Sequence, residues 1–168
     1  MIRVVVDDLA HLDSDAIVRP ATVRLDSPTR AARRLEQVGG AEFLARLRVN
    51  ADLEVGAAVV TGGGGGLAAE FVIHAVIQSD TEPVSRTGVA RAWRSVLQQA
   101  EWWSFARLAA PPIGVGAGNL AIEDAADIMV SGLHAHHASA TLPTEVSVVV
   151  ETAADREVFE AALAARGA

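Results

Sequence analysis

The stretch from Leu108 to Ala126 constrains the fold of this chain more than any other. Leu108, Ala109 and Ala110 read as a short buried strand. Pro111-Pro112-Ile113 follow, glycines recur at Gly114, Gly116 and Gly118, and a helix opens at Glu123. A strand passed to a helix through a glycine loop is the joint of an open α/β sheet, and such sheets bind ligands at the carboxyl ends of their strands. Glycine permits close backbone approach and positive φ, and N–H groups clustered ahead of a helix attract phosphate. The same pattern serves equally as a plain tight connection. Two readings therefore stand: an anion-binding loop or a turn.

The rest of the chain supplies the partners such a joint needs. Short apolar, β-branched segments at Arg3–Val6, Ala16–Arg19, Ala57–Thr61, Phe71–Val76, Arg107–Ala110 and Val146–Glu151 are the predicted strands. Helical spacing links Ala31, Leu35 and Val38, and then, beyond Gly39-Gly40, Phe43, Leu44, Leu47 and Val49. The stripe Val89, Ala92, Trp93, Val96, Leu97, Ala100 is a third helix, Ala125, Ile128, Met129, Leu133 a fourth, and Val158, Phe159, Ala162, Leu163 a C-terminal one. Alternating strands and helices imply helices on both faces of a sheet. The segments 57–61 and 71–76 are too close for a crossover helix, so they pair antiparallel and the sheet is mixed. Gly62–Gly66, five glycines in a row, is a turn between them.

Composition narrows the class. Hydrophobic residues make up 51% of the 168, ample for one core at a length where about 70% of the unfolded surface is buried. A single domain over 1–168 is expected. A net charge of −7 repels a nucleic-acid backbone, so no nucleic-acid partner is expected. With no cysteine, disulfides and thiolate chemistry are excluded. No apolar run approaches the roughly 18 residues of a membrane span, and the N-terminus lacks a signal-peptide pattern. The expectation is a cytoplasmic protein with no membrane partner.

At the level of motifs, residues 4–18 (VVVDDLAHLDSDAIV), the hairpin EVGAAVVTGG…LAAEFVIHAV within 54–76 and the glycine loop at 112–120 together resemble the macro domain family. The resemblance implies a three-layer α/β/α sandwich with a central mixed β-sheet that binds ADP-ribose or a related adenine nucleotide. It assigns Asp8, beside Leu9, to the adenine amino group. Gly114, Val115, Gly116, Ala117 and Gly118 fall to the diphosphate, Asn119 counts among the ligand-binding residues beside them, and Thr22 falls to the position of a ribose-binding asparagine. Departures matter as much. Where the family carries Asn-Ala-Ala-Asn, this chain has Arg19-Pro20-Ala21-Thr22, and a hydroxyl cannot make the paired contacts of a carboxamide. Asp26-Ser27-Pro28-Thr29 replaces the first glycine loop, and the second loop lacks its aromatic residue. These losses favour a binding module that needs no cofactor and assigns no catalytic residue. The alternatives are a degenerate scaffold acting in oligomerisation, or a weak ADP-ribosyl hydrolase.

Other residues carry two readings each. Asp7 and Asp8 are also common turn acids or helix caps. Arg19 suits a phosphate or carboxylate, or a solvent-facing or interface position. Arg30, Arg33 and Arg34 read as a solvated helix face, with Arg30 and Arg33 as the alternative replacement for the lost phosphate loop. His134, His136 and His137 lack the third ligand and supporting shell of a zinc site, so no metal is assigned, and His74 reads as a hydrogen-bonded sheet residue. Trp93 belongs to the core. Trp102 and Trp103 point to different faces, and an exposed one would suit a subunit contact in a possible homo-oligomer. Glu151, Asp155, Glu157 and Glu160 read as a solvated face.

Overall fold

The computed structural model describes residues 1–48, 53–117 and 120–167. Six strands, β1 (Ile2–Val6), β2 (Ala16–Thr22), β3 (Ala58–Gly62), β4 (Phe71–Gln78), β5 (Arg107–Ala110) and β6 (Glu145–Val150), form one sheet in the order β1-β6-β5-β2-β4-β3. Every pairing is parallel except β3 on β4. The sheet is therefore mixed, with the antiparallel hairpin at one edge as its short connection requires. β2 and β4 are almost wholly buried along their length, and strands covered on both faces are accordingly apolar throughout.

Four helices cover the sheet: α1 (Arg30–Arg46), α2 (Arg86–Trp103), α3 (Ile122–His136) and α4 (Ala153–Ala164). Alternation along β2 sorts them into layers. Ala16 and Val18 join the larger core with α2, α3 and the Phe159 ring of α4, while Ile17 packs with Leu35 of α1 and with Leu9 and Ala10 of the first turn. Trp93 of α2 is 1% exposed, and its indole N–H donates to the Met129 carbonyl of α3 at 3.0 Å. Gly132 makes room for it, since a Cβ there would lie 2.6 Å from the ring. Asp15 fixes the central register by accepting from the Ala106 and Arg107 amides, both at 2.8 Å.

The two helical stripes expected on either side of Gly39-Gly40 form one element broken at Gly40, whose φ of 62° and ψ of −156° leave the helix. Val49 lies outside the described residues. At Gly39 a Cβ would fall 2.5 Å from that of Phe43, so the glycine pair lets Phe43 turn down onto the sheet. The Gly62–Gly66 turn packs beside this break, with the Gly66 amide donating to Val38 O at 3.0 Å and that of Gly65 to the Glu42 carboxylate at 3.2 Å. Trp102 is 85% exposed, whereas Trp103 packs on Phe71 and Phe105. His136 and His137 lie 2.8 Å from the carbonyl oxygens of Leu142 and Pro143, and tie the loop before β6 to the end of α3. Among the described residues no cluster of three His, Asp or Glu could hold a metal ion, and no helix is long and apolar enough to cross a membrane.

Candidate functional site

The parallel strands all end at one edge, and there the connections after β1, β2, β5 and β6 enclose an open cleft of about 650 Å³. Asp7, Asp8 and Leu9 border it from the first turn, Pro20 from β2, Pro111 and Pro112 from the end of β5, and Val115 and Gly116 from the glycine loop. Thr29, Arg30, Ala31, Arg33 and Arg34 form the α1 side, while Glu151 and Asp155 come from the β6–α4 side. The volume is within the range of small-molecule sites.

Asp8 plays the capping role open to it from sequence. Its Oδ1 accepts from the Ala10 amide at 3.1 Å, closing a 3₁₀ turn over Leu9–His11. Its Oδ2 is 3.0 Å from both His11 Nδ1 and Arg34 Nη2. Partial burial pushes the carboxyl up, but the hydrogen bonds from Arg34, Ala10 and His11 prevail and hold it below the usual carboxylate range. Asp8 is thus an anion with its partners already in place at the mouth of the cleft. Asp7, next to it, accepts from the Asp8 amide at 2.7 Å.

The glycine loop holds a conformation that its sequence demands. Gly114 and Gly116 have φ of 91° and 83°, values that side chains disfavour. A Cβ on Gly114 would also meet Val89 at 2.9 Å, whereas one on Gly116 would meet nothing within 4 Å. Among the described residues, the amides of Val115, Gly116 and Ala117 donate to no other protein group. The helix that follows continues the theme. α1, α2 and α4 are capped by the side chains of Thr29, Ser85 and Thr152, but α3 starts after Ala121 with no side-chain cap. Its first turn carries Glu123 and Asp124, which offset its dipole. Gly118 and Asn119 lie outside the described residues.

Thr22 is not brought to the same place. Its hydroxyl accepts from the Arg24 and Asp26 amides at 3.3 and 3.2 Å, closing the turn after β2. It borders a separate hollow of about 80 Å³ with Gln78 and Asp80. Gly114 and Ala117 shape the loop behind Val115 and Gly116 without bordering the cleft themselves.

Arg19 is neither solvent-facing nor in the cleft. Fully buried, it donates through Nη2 to Glu36 at 2.5 Å, to Leu25 O at 2.8 Å and to Ser27 Oγ at 2.9 Å. Leu25, at φ 61°, takes a strained conformation in presenting that carbonyl. Burial lowers the Arg19 pKa, with the Glu36 and Asp26 carboxylates opposing the shift. The signal available in sequence was its place inside an apolar strand, where an arginine needs a buried anion; nothing in the spacing identified Glu36 as that anion.

Sequence left Arg30 and Arg33 open to a solvated helix face or to the place of the lost phosphate loop, and both border the cleft, as does Arg34. A helix following a 29-residue lead has no sequence signal for which face meets the strand ends. The same applies to Glu151 and Asp155, which border the cleft instead of a purely solvated face.

Comparison with known proteins accords with this architecture. The Macro domain family model matches residues 18–129. An uncharacterized protein of Aquifex aeolicus is 31% identical over 161 residues, covering 95% of this chain and 94% of that protein. An uncharacterized protein of Mycobacterium tuberculosis is 31% identical over 158 residues, 94% of this chain but 43% of the relative. The chain thus spans less than half the length of the mycobacterial relatives it matches. Among solved structures, a mutant Oceanobacillus iheyensis macrodomain with ADPR shares the fold at TM-score 0.86 and 22% identity, covering 98% of this chain and 92% of the other. The Trypanosoma brucei macrodomain in complex with ADP-ribose does so at 0.84 and 17%, covering 95% and 68%.

Proposed function

Since the chain belongs to the macro domain family, we propose that its cleft binds ADP-ribose or a related adenine nucleotide, as a binding module with no bond-breaking step of its own. One observation carries the reading: the hollow between the Asp8 turn and the Val115–Gly116 loop is open, at about 650 Å³, and is filled by neither Arg19 nor α1. The Val115, Gly116 and Ala117 amides, unpaired among the described residues, can donate to phosphate oxygens. Asp7 and Asp8 can accept from an exocyclic amino group, and the apolar edges of Leu9 and Pro20 suit a base or ribose face. The absence of a cleft position for Thr22 supports binding over hydrolysis, because the family's ribose-holding carboxamide then has no substitute beside the ligand.

Calorimetric titration of the chain with ADP-ribose tests the reading. A saturable isotherm is expected, weakened by a bulky acidic substitution at the loop, Val115→Glu. No heat from ADP-ribose, ADP or AMP at millimolar concentration would remove it. Release of mono-ADP-ribose from a modified carrier protein, if observed, would replace a module by an enzyme.

A further inference from the structure

We propose that Arg30 and Arg33 form a side-chain clamp for the phosphates of the bound ligand, in place of a backbone loop, so that the cleft selects nucleoside diphosphates by charge. This rests on the reading of the cleft as a nucleotide site and names how that site chooses among nucleotides.

The charges of the chain point to these two residues. Acidic residues outnumber basic ones by 21 to 14, so a cation has abundant partners. Among the described residues, ten of the 14 arginines are seen ion-paired: Arg3, Arg19, Arg24, Arg34, Arg46, Arg86, Arg91, Arg107, Arg156 and Arg166. Arg30 and Arg33 form no ion pair or side-chain hydrogen bond among the described residues, and both border the cleft. Arg34, on the same helix, does so too, but is committed to Asp8 at 3.0 Å.

Their spacing adds a physical cost that a ligand would relieve. Arg30 with Arg33, and Arg30 with Arg34, stand three and four positions apart on the first turns of α1, where like charges repel. The first turn of a helix is also the end at which its dipole disfavours cations. α1 holds these residues at its N-terminus with no acidic residue in its first turn to offset them. A phosphate placed between the guanidinium forks and the Val115–Gly116 amides would satisfy both walls, since a guanidinium engages phosphate through paired N–H bonds. The carboxylates of Glu151 and Asp155 on the α4 side repel the same phosphate, which places it toward α1. Ligands should then rank by phosphate charge: diphosphate above monophosphate, monophosphate above nucleoside.

The test is titration of the full chain and of R30Q/R33Q with ADP, AMP, adenosine and inorganic pyrophosphate at low and moderate salt. For the parent, affinity should fall in the order ADP, AMP, adenosine and weaken as salt rises. In R30Q/R33Q the Kd for ADP should rise at least about tenfold and the salt dependence flatten, with R30K/R33K intermediate. The unliganded melting temperature should hold or rise, because a repulsive pair has been removed. An R30Q/R33Q Kd for ADP within twofold of the parent overturns the clamp and leaves the nucleotide reading intact. Equal parent affinity for adenosine and ADP does the same. If pyrophosphate binds the parent as tightly as ADP, and binding is lost in R30Q/R33Q, the clamp stands and the adenine assignment falls. A parent that binds none of the four overturns both.

Discussion

The guanidinium of Arg19 lies 3.2 Å from Nδ1 of His74, the two residues facing each other in register across the parallel strands β2 and β4. A guanidinium can only donate, so Nδ1 accepts, and the ring proton resides on Nε2. That nitrogen is 2.8 Å from Thr61 Oγ1, whose hydroxyl in turn donates to Gly62 O at 3.1 Å. Phe43 stacks on the imidazole at 6.0 Å between centroids. A buried chain of polar groups therefore runs from Glu36 on α1 through both strands to the edge strand β3. Burial first, and the Arg19 charge second, push the His74 pKa down to about 3.

The pH dependence of stability follows from that neutral imidazole. Once unfolded, His74 takes up a proton below its ordinary pKa of 6.5, whereas the native state refuses it down to about 3. The unfolded state thus binds more protons across this window, and stability, complete above pH 6.5, falls as pH drops through it. The slope attributable to one group approaches about 1.4 kcal/mol per pH unit at its steepest. Urea midpoints at pH 7.5, 6, 5 and 4.5 should decline steadily. The decline between pH 6 and 4.5 should shrink in His74→Gln, and an identical decline in that variant would exclude His74 as its source.

Removing the two ends of the buried ion pair should have unequal effects. Glu36→Ala leaves the guanidinium of Arg19 buried without its carboxylate, a change worth about 3 kcal/mol or more. Arg19→Met removes the buried charge itself and leaves Glu36, which is 25% exposed, able to reach water. Chemical denaturation should rank Glu36→Ala as the more damaging, and the reverse order would contradict this account of the pair.

At Gly132, helix propensity and packing conflict. Alanine favours a helix interior over glycine by about 1 kcal/mol. Its Cβ, however, would enter the space of the Trp93 ring, whose displacement would also strain the bond to Met129 O. Overpacking of this kind costs about 1–3 kcal/mol. Gly132→Ala should therefore lower the melting temperature and alter near-ultraviolet circular dichroism from Trp93, and a stabilised variant would mean that the two helices separate at little cost.

The two tryptophans at the end of α2 should separate cleanly. Trp102→Ser is expected to shift stability by less than about 0.5 kcal/mol, as befits an exposed position. Trp103→Ser strips a ring from its contacts with Phe71 and Phe105 and should cost about 1–2 kcal/mol. Thermal melts of both variants decide the point.

Much of the architecture was legible because period and composition agreed. The predicted strand Arg107–Ala110 forms with those bounds, the others shift by one to three residues at their ends, and the hairpin pairs antiparallel. The cleft was legible where backbone shapes its wall. Val115 and Gly116 border the cleft because glycine at positive φ shapes that loop, and this is visible in the sequence. Side-chain destinations were less legible. Arg19 resembled a ligand-facing arginine because a strand end sits near the cleft, yet alternation along β2 turns it beneath α1 with Ile17. Thr22 marked the place of a missing asparagine but was claimed by its own turn. Arg30 and Arg33 carried both a solvated-face and a phosphate-loop reading until the helix that carries them had a direction.

α1 divides its duties between its two sides. Glu36, Leu35 and Phe43 on the inner side hold Arg19, Ile17 and His74, so that side tolerates little change. Arg30, Arg33 and Arg34, on the outer side, are exposed and hold nothing in the interior. The residues at these three surface positions can therefore change while the scaffold stays fixed, which makes this helix the natural place to alter the charge of the cleft.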